Sequence, residues 1–125
     1  MLFGEVDWSR RLSEANARGE LLDAETFMAR MGWNRAQLDG AISKHRVFLI
    51  RCDHSEYVPS FFFDAGSPRH QVQLVSAALG AVSPGGKWQF FVTGKGSLGG
   101  ISPLAALARG QLRAVRHAAL AFAER

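Results

Sequence analysis

The chain has one cysteine, Cys52, one tyrosine, four prolines and, between Asp64 and Glu124, no acidic residue at all. A single cysteine excludes an internal disulfide framework of the kind that staples small secreted domains. No apolar run approaches the roughly 18 residues that would suggest a membrane span. The first residues carry Glu5 and Asp7 and lack an apolar core segment, so they do not read as a secretion signal. These absences together point to a cytoplasmic protein without a membrane anchor.

With 125 residues, the chain can bury enough apolar surface to fold unaided, as one compact unit or as two small lobes sharing a core. Its charge is divided unevenly. Residues 1–64 hold eight Lys and Arg against ten Asp and Glu, whereas residues 65–125 hold seven against Glu124 alone. The second half therefore presents a basic surface suited to nucleic acid, to an acidic protein face or to solvent. Within residues 26–51, Arg30, Arg35, Lys44, Arg46 and Arg51 face only Asp39, which suggests a local basic patch in the first half as well.

Periodicity and capping signals predict mainly helix. Trp8 to Gly19 reads as a short helix with Ser9 as a cap, suited to a lid or dimer element. Asp23 caps Ala24–Met31, in which Phe27, Met28 and Met31 share a face, and Gly32 breaks it. Asn34 starts a further helix to about Lys44, with Leu38, Ala41 and Ile42 inward and Gln37, Ser43 and Lys44 outward. Two short helices joined by a glycine turn form a candidate helix-turn-helix. Val47 to Ile50 and Tyr57-Val58 flank a polar stretch, Arg51 to Glu56, which reads as a hairpin wing ended by Pro59. On the second helix Arg35 and Gln37 could read guanine and adenine edges, with Ser43 farther along and Lys44 or Arg46 neutralising phosphate; the plain alternative is a solvated face. Reading a half-site this way implies a homodimer on operator DNA.

Ala65-Gly66-Ser67-Pro68 marks the boundary between residues 1–64 and 68–125. Beyond it, Val72, Leu74, Val75, Ala78 and Leu79 predict an amphipathic helix, and Pro84-Gly85-Gly86 predicts a turn. Trp88, Phe91 and Val92 share a helical face in a helix spanning Gly85 to Thr93, and Leu104 and Leu107 extend the core. The last helix, Gln111 to Ala123, buries Leu112, Val115, Ala119 and Phe122. Its other face carries Arg113, Arg116, His117 and Leu120, an apolar anchor ringed by charge of the kind that meets a partner.

Gly94 to Gly99 spells G-x-G-x-x-G, yet a dinucleotide loop needs parallel strands and an acidic residue about 20 positions on, and none is there. Gly94 instead ends a helix, Gly96, Gly99 and Gly100 supply turn conformations, and Ser102 caps a helix with Pro103 at its first position. Cys52, Asp53, His54 and His45 are metal-ligating residue types, but the spacing lacks a second ligand pair. No catalytic constellation emerges: the acidic residues sit at helix starts and in the wing, and His70 and His117 lie among polar neighbours. Neither an enzyme nor a bound metal or cofactor is expected.

One spacing is more specific. Phe90-Phe91, Leu98-Gly99-Gly100, Pro103-Leu104, Leu107, Gly110 and Val115 together resemble the toxin-binding module of the Xre/MbcA/ParS-like antitoxins. Ala105 stands where that family usually carries an acidic residue, which leaves the choice of toxin open. The resemblance implies an antitoxin whose C-terminal helical lobe occludes a cognate toxin, often one of the RES fold that consumes NAD, and which autoregulates its operon. The fold expected is a small, mainly α bundle: a helix-turn-helix-like lobe with a β wing, then a helical toxin-binding lobe. The alternative is a DNA-binding regulator acting without a toxin.

Overall fold

A computed structural model of the chain describes residues 10, 11, 13–52, 54–63, 66 and 68–124. The molecule is mainly helical with one small antiparallel sheet. A leading helical stretch that includes residues 13–17 precedes strand β1 (Leu21–Asp23), helix α1 (Ala24–Met31), helix α2 (Arg35–Ser43), and the hairpin of β2 (Ile50–Cys52) and β3 (Ser55–Pro59). Helices α3 (Arg69–Leu79), α4 (Pro84–Val92), α5 (Pro103–Ala108) and α6 (Leu112–Ala123) complete it, with 3₁₀ turns at Ser60–Phe62 and Gly96–Leu98. Trp8, Ser9, Asp53 and, in the 65–68 boundary, Ala65 and Ser67 lie outside the described residues.

The expected helix boundaries follow from local chemistry. The Asp23 carboxylate accepts from the Thr26 N–H at 2.8 Å and from the Thr26 hydroxyl at 3.0 Å, closing the start of α1. Gly32 ends α1 in the left-handed region at φ 71°, freeing the Trp33 N–H to bond the Met28 carbonyl. Asn34 and Gln37 form a reciprocal capping box at the start of α2. His45 ends α2 in the same way as Gly32 ends α1, at φ 61°, with the Arg46 N–H on the Ala41 carbonyl.

Strand β1 is a departure from the expected all-helical start. It pairs with β3, so the order in the sheet is β1, β3, β2, and Pro59 stands opposite Leu21 at the end of the ladder. Three residues are too few for an alternating pattern to register in sequence. Pro84-Gly85-Gly86 is a second departure: it forms the first turn of α4, with the Ser83 hydroxyl accepting from the Gly86 N–H at 3.1 Å. Proline at the first helical position loses only an N–H that had no helical partner.

One core serves both halves. Phe48, Phe61 and Phe62 from the N-terminal half meet Phe91 of α4, with ring centroids 4.7 Å apart for Phe61 and Phe91 and 5.2 Å for Phe48 and Phe62. Each fully buried ring of this kind contributes about 1.5–3 kcal/mol. The buried Ser76 hydroxyl of α3 donates to the His45 carbonyl at 2.8 Å, tying the end of α2 to the second half. Helices α3 and α6 pack closely along one another. Leu74 and Val92, expected inside, are 45% and 40% exposed. The buried face of α4 also differs from expectation, because Lys87 and Phe90 are buried beside Trp88 and Phe91. No helix among the described residues is long and apolar enough to cross a membrane.

Candidate interaction surfaces

The second helix of the helix-turn-helix candidate has most of its polar groups already engaged. Arg35 donates to Asp39 at 3.1 Å and to Glu56 of β3 at 3.4 Å, and Arg51 reaches the other Glu56 oxygen at 3.4 Å. Two of the five cations of the expected basic patch, Arg35 and Arg51, thus sit in a balanced quartet with Asp39 and Glu56, because Glu56 lies outside the window from which the patch was read. Gln37 accepts from the Asn34 N–H at 2.8 Å, and the Ser43 hydroxyl donates back to the Gly40 carbonyl at 3.0 Å. Lys44 and Arg46 are exposed and make no ion pair among the described residues. Arg30 stacks on Phe63 with its guanidinium carbon 5.8 Å from the ring centre. Arg35, Arg51 and Glu56 also line an open depression with Asp23, Glu25 and His54; its charge is mixed.

The last helix is arranged differently. Val115 and Ala119 are buried, and Arg113, Arg116, His117 and Leu120 are exposed. Their spacing of three, four and seven residues sets them along one outward strip of α6. Leu120 is 47% exposed, and none of these cations forms an ion pair among the described residues. The cause is compositional: with no acid between residues 65 and 123, α6 has no local counter-charge. Glu124 alone follows it.

The loop that spells the dinucleotide-like motif joins two helices. A Cβ on Gly94 would collide with the Gly100 carbonyl oxygen, because the Lys95 N–H bonds the Ile101 carbonyl at 3.0 Å and draws the loop ends together. Gly99 and Gly100 have φ of 71° and 88°, a region that favours glycine. Gly96 has neither constraint, contrary to the expectation for it. Leu98 is buried under this loop; Ser102 caps α5 on the Ala105 N–H, Pro103 is buried, and Leu104 is half-buried. The spacing from Leu98 to Leu104 thus describes a tight helix-to-helix connection closed over the core.

Among the described residues no three His, Cys, Asp or Glu side chains converge on a point that could hold a metal ion. The residue that sequence reasoning missed is Lys87, only 4% exposed on α4. Its signal was available: Lys87, Phe90 and Phe91 stand at i, i+3 and i+4, so helical spacing sets the lysine on the same face as the two buried rings.

The chain is thus mainly helical with a small sheet, Arg35 and Arg51 paired beside the sheet and the cations of α6 without an ion pair among the described residues. No family model, curated protein or solved structure matches the chain.

Proposed function

We propose that the chain is an antitoxin-type binding protein that sequesters a partner protein through the outward strip of α6. The observation that carries this reading is the exposed Leu120 standing in line with Arg113, Arg116 and His117, which form no ion pair among the described residues and have no acidic residue between positions 65 and 123 beside them. An apolar anchor ringed by uncompensated cations fits a protein surface with a hydrophobic notch and an acidic rim. The resemblance of the Leu98 to Leu104 connection to the Xre/MbcA/ParS-like module supplies the partner's kind: a toxin, inhibited by occlusion. Any chemistry on NAD would belong to that toxin.

A second activity, operator binding, is favoured by one observation. The order helical stretch, β1, α1, α2, β2, β3, with β1 completing the sheet beside the hairpin, supports a winged helix-turn-helix reading of this half. Lys44 and Arg46 remain available for phosphate, whereas Arg35, Gln37 and Ser43 are held by neighbours. Operator contact by this lobe therefore rests more on the backbone than on base edges.

A tagged pull-down from the native host under nuclease treatment tests the proposal. A stoichiometric protein whose toxicity this chain suppresses, with suppression lost in Leu120→Asp combined with Arg116→Glu, is the expected result. Full suppression by that folded variant overturns the α6 surface. Recovery of specific DNA alone, when nuclease is omitted, establishes the regulator without a toxin.

A further inference from the structure

An open cleft of about 710 Å³ lies where the end of α2 and the segment leading into β2 face the start of α4. Its walls are mostly apolar, with Ile42, Phe48, Leu49 and Val82 among them. Lys87 also lines it, and this side chain is more than nine-tenths buried. Among the described residues the Lys87 ammonium has no hydrogen bond and no ion pair; it lies over the face of Phe48, 5.7 Å from the ring centre. The N-terminus of α4 opens on the same cleft through Ser83, Pro84 and Gly85. The Gly86 N–H is taken by Ser83, but the Gly85 N–H has no partner among the described residues.

The other titratable groups facing the cleft are His45, Arg51 and Glu56. Glu56 forms no ion pair with Lys87; its two oxygens lie against Arg35 and Arg51 instead. A buried ammonium without a counter-ion is costly, and a cleft that combines apolar walls with a few convergent polar groups is the ordinary form of a small-molecule site. Helix α4 adds the positive end of its dipole and the open Gly85 amide.

From this juxtaposition we infer that the cleft binds a small organic anion, its oxyanion against Lys87 and the start of α4 and its apolar body against Phe48, Leu49 and Val82. The site is separate from the outward strip of α6 and stands whether or not a toxin is bound there.

Titration of the full chain with benzoate, phenyl phosphate and inorganic phosphate, followed by amide chemical shifts, tests it. The expected result is saturable shifts centred on Val82, Gly85 and Phe48 with one or both aromatic anions, and much weaker binding of inorganic phosphate. In Lys87→Met, affinity for the aromatic anion should fall by at least about tenfold, the loss of one charge-assisted contact. Wild-type affinity for benzoate, whose own charge is constant above neutrality, should also fall as alkaline pH strips the Lys87 proton, a readout needing no variant. No saturable shift with either aromatic anion, unchanged affinity in folded Lys87→Met, or inorganic phosphate binding as tightly as phenyl phosphate overturns the inference.

Discussion

The Lys87 ammonium lies over the Phe48 ring, 5.7 Å from its centre, so a charge on α4 is sheltered by an aromatic face from the other half of the chain. Such a contact contributes about 0.5–2 kcal/mol, less than the hydration that a buried ammonium gives up. Burial accordingly lowers the Lys87 pKa below its ordinary 10.5.

The sign of the consequence follows from proton binding. The folded chain releases the Lys87 proton at a lower pH than the unfolded chain, so this residue makes stability rise with pH between the lowered value and 10.5. Lys87→Met should therefore be more stable than wild type near neutrality, by about 1–2 kcal/mol, with the advantage shrinking in alkali. His45, Arg51 and Glu56 face the same cleft and are present in both proteins, so the difference isolates Lys87. Urea melts of both at several pH values check this; parallel stability curves would count against it.

Asp23 gives the opposite dependence. Hydrogen bonds from the Thr26 N–H and hydroxyl hold its carboxyl below the usual 3.8. The stabilisation is present above the unfolded value and lost as pH falls through the folded one. Asp23→Ala should cost about 1 kcal/mol near neutrality and progressively less in acid. Asp23→Asn keeps a capping oxygen without the titration, so its cost should be smaller. Thermal melts from neutral to acid pH measure all three.

What could be read in the sequence is what depends on near neighbours. Asp23, Gly32, Asn34 and Ser102 act within a few residues of themselves, and each helix end they signal is present. Strand β1 was not legible because its three residues acquire their conformation from β3, more than thirty positions away. The quartet around Glu56 was hidden for the same reason: Arg35 and Glu56 are 21 residues apart, and only the sheet brings them together. On α6 the exposed strip was legible from spacing, since Val115 and Ala119 declare the buried side.

The loop between α4 and α5 separates two kinds of glycine. Gly94→Ala drives a methyl group into the Gly100 carbonyl, where the bonds from Lys95 to Ile101 and from Gly100 back to Lys95 resist movement. A loss of about 1–3 kcal/mol is expected. At Gly96 an added methyl meets open space, and Gly96→Ala should stay within about 0.5 kcal/mol of wild type. Equal midpoints for the two variants in urea would remove the close approach at Gly94 from the account.

Phe91 decides whether the two halves stand or fall together. Its ring meets Phe61 at 4.7 Å, Phe62 at 6.2 Å and Phe48 at 6.5 Å, all from the N-terminal half, while Phe90 beside it meets Phe122 of α6 at 5.2 Å. Truncating so buried a ring to Ala should cost about 3–5 kcal/mol. Because the cavity would open between the halves, amide exchange should quicken together in β3 and in α6, and urea should still unfold the chain in one transition. If β3 kept its protection while α6 lost it, the halves would be folding separately, and binding at α6 could not be transmitted through this core to the sheet.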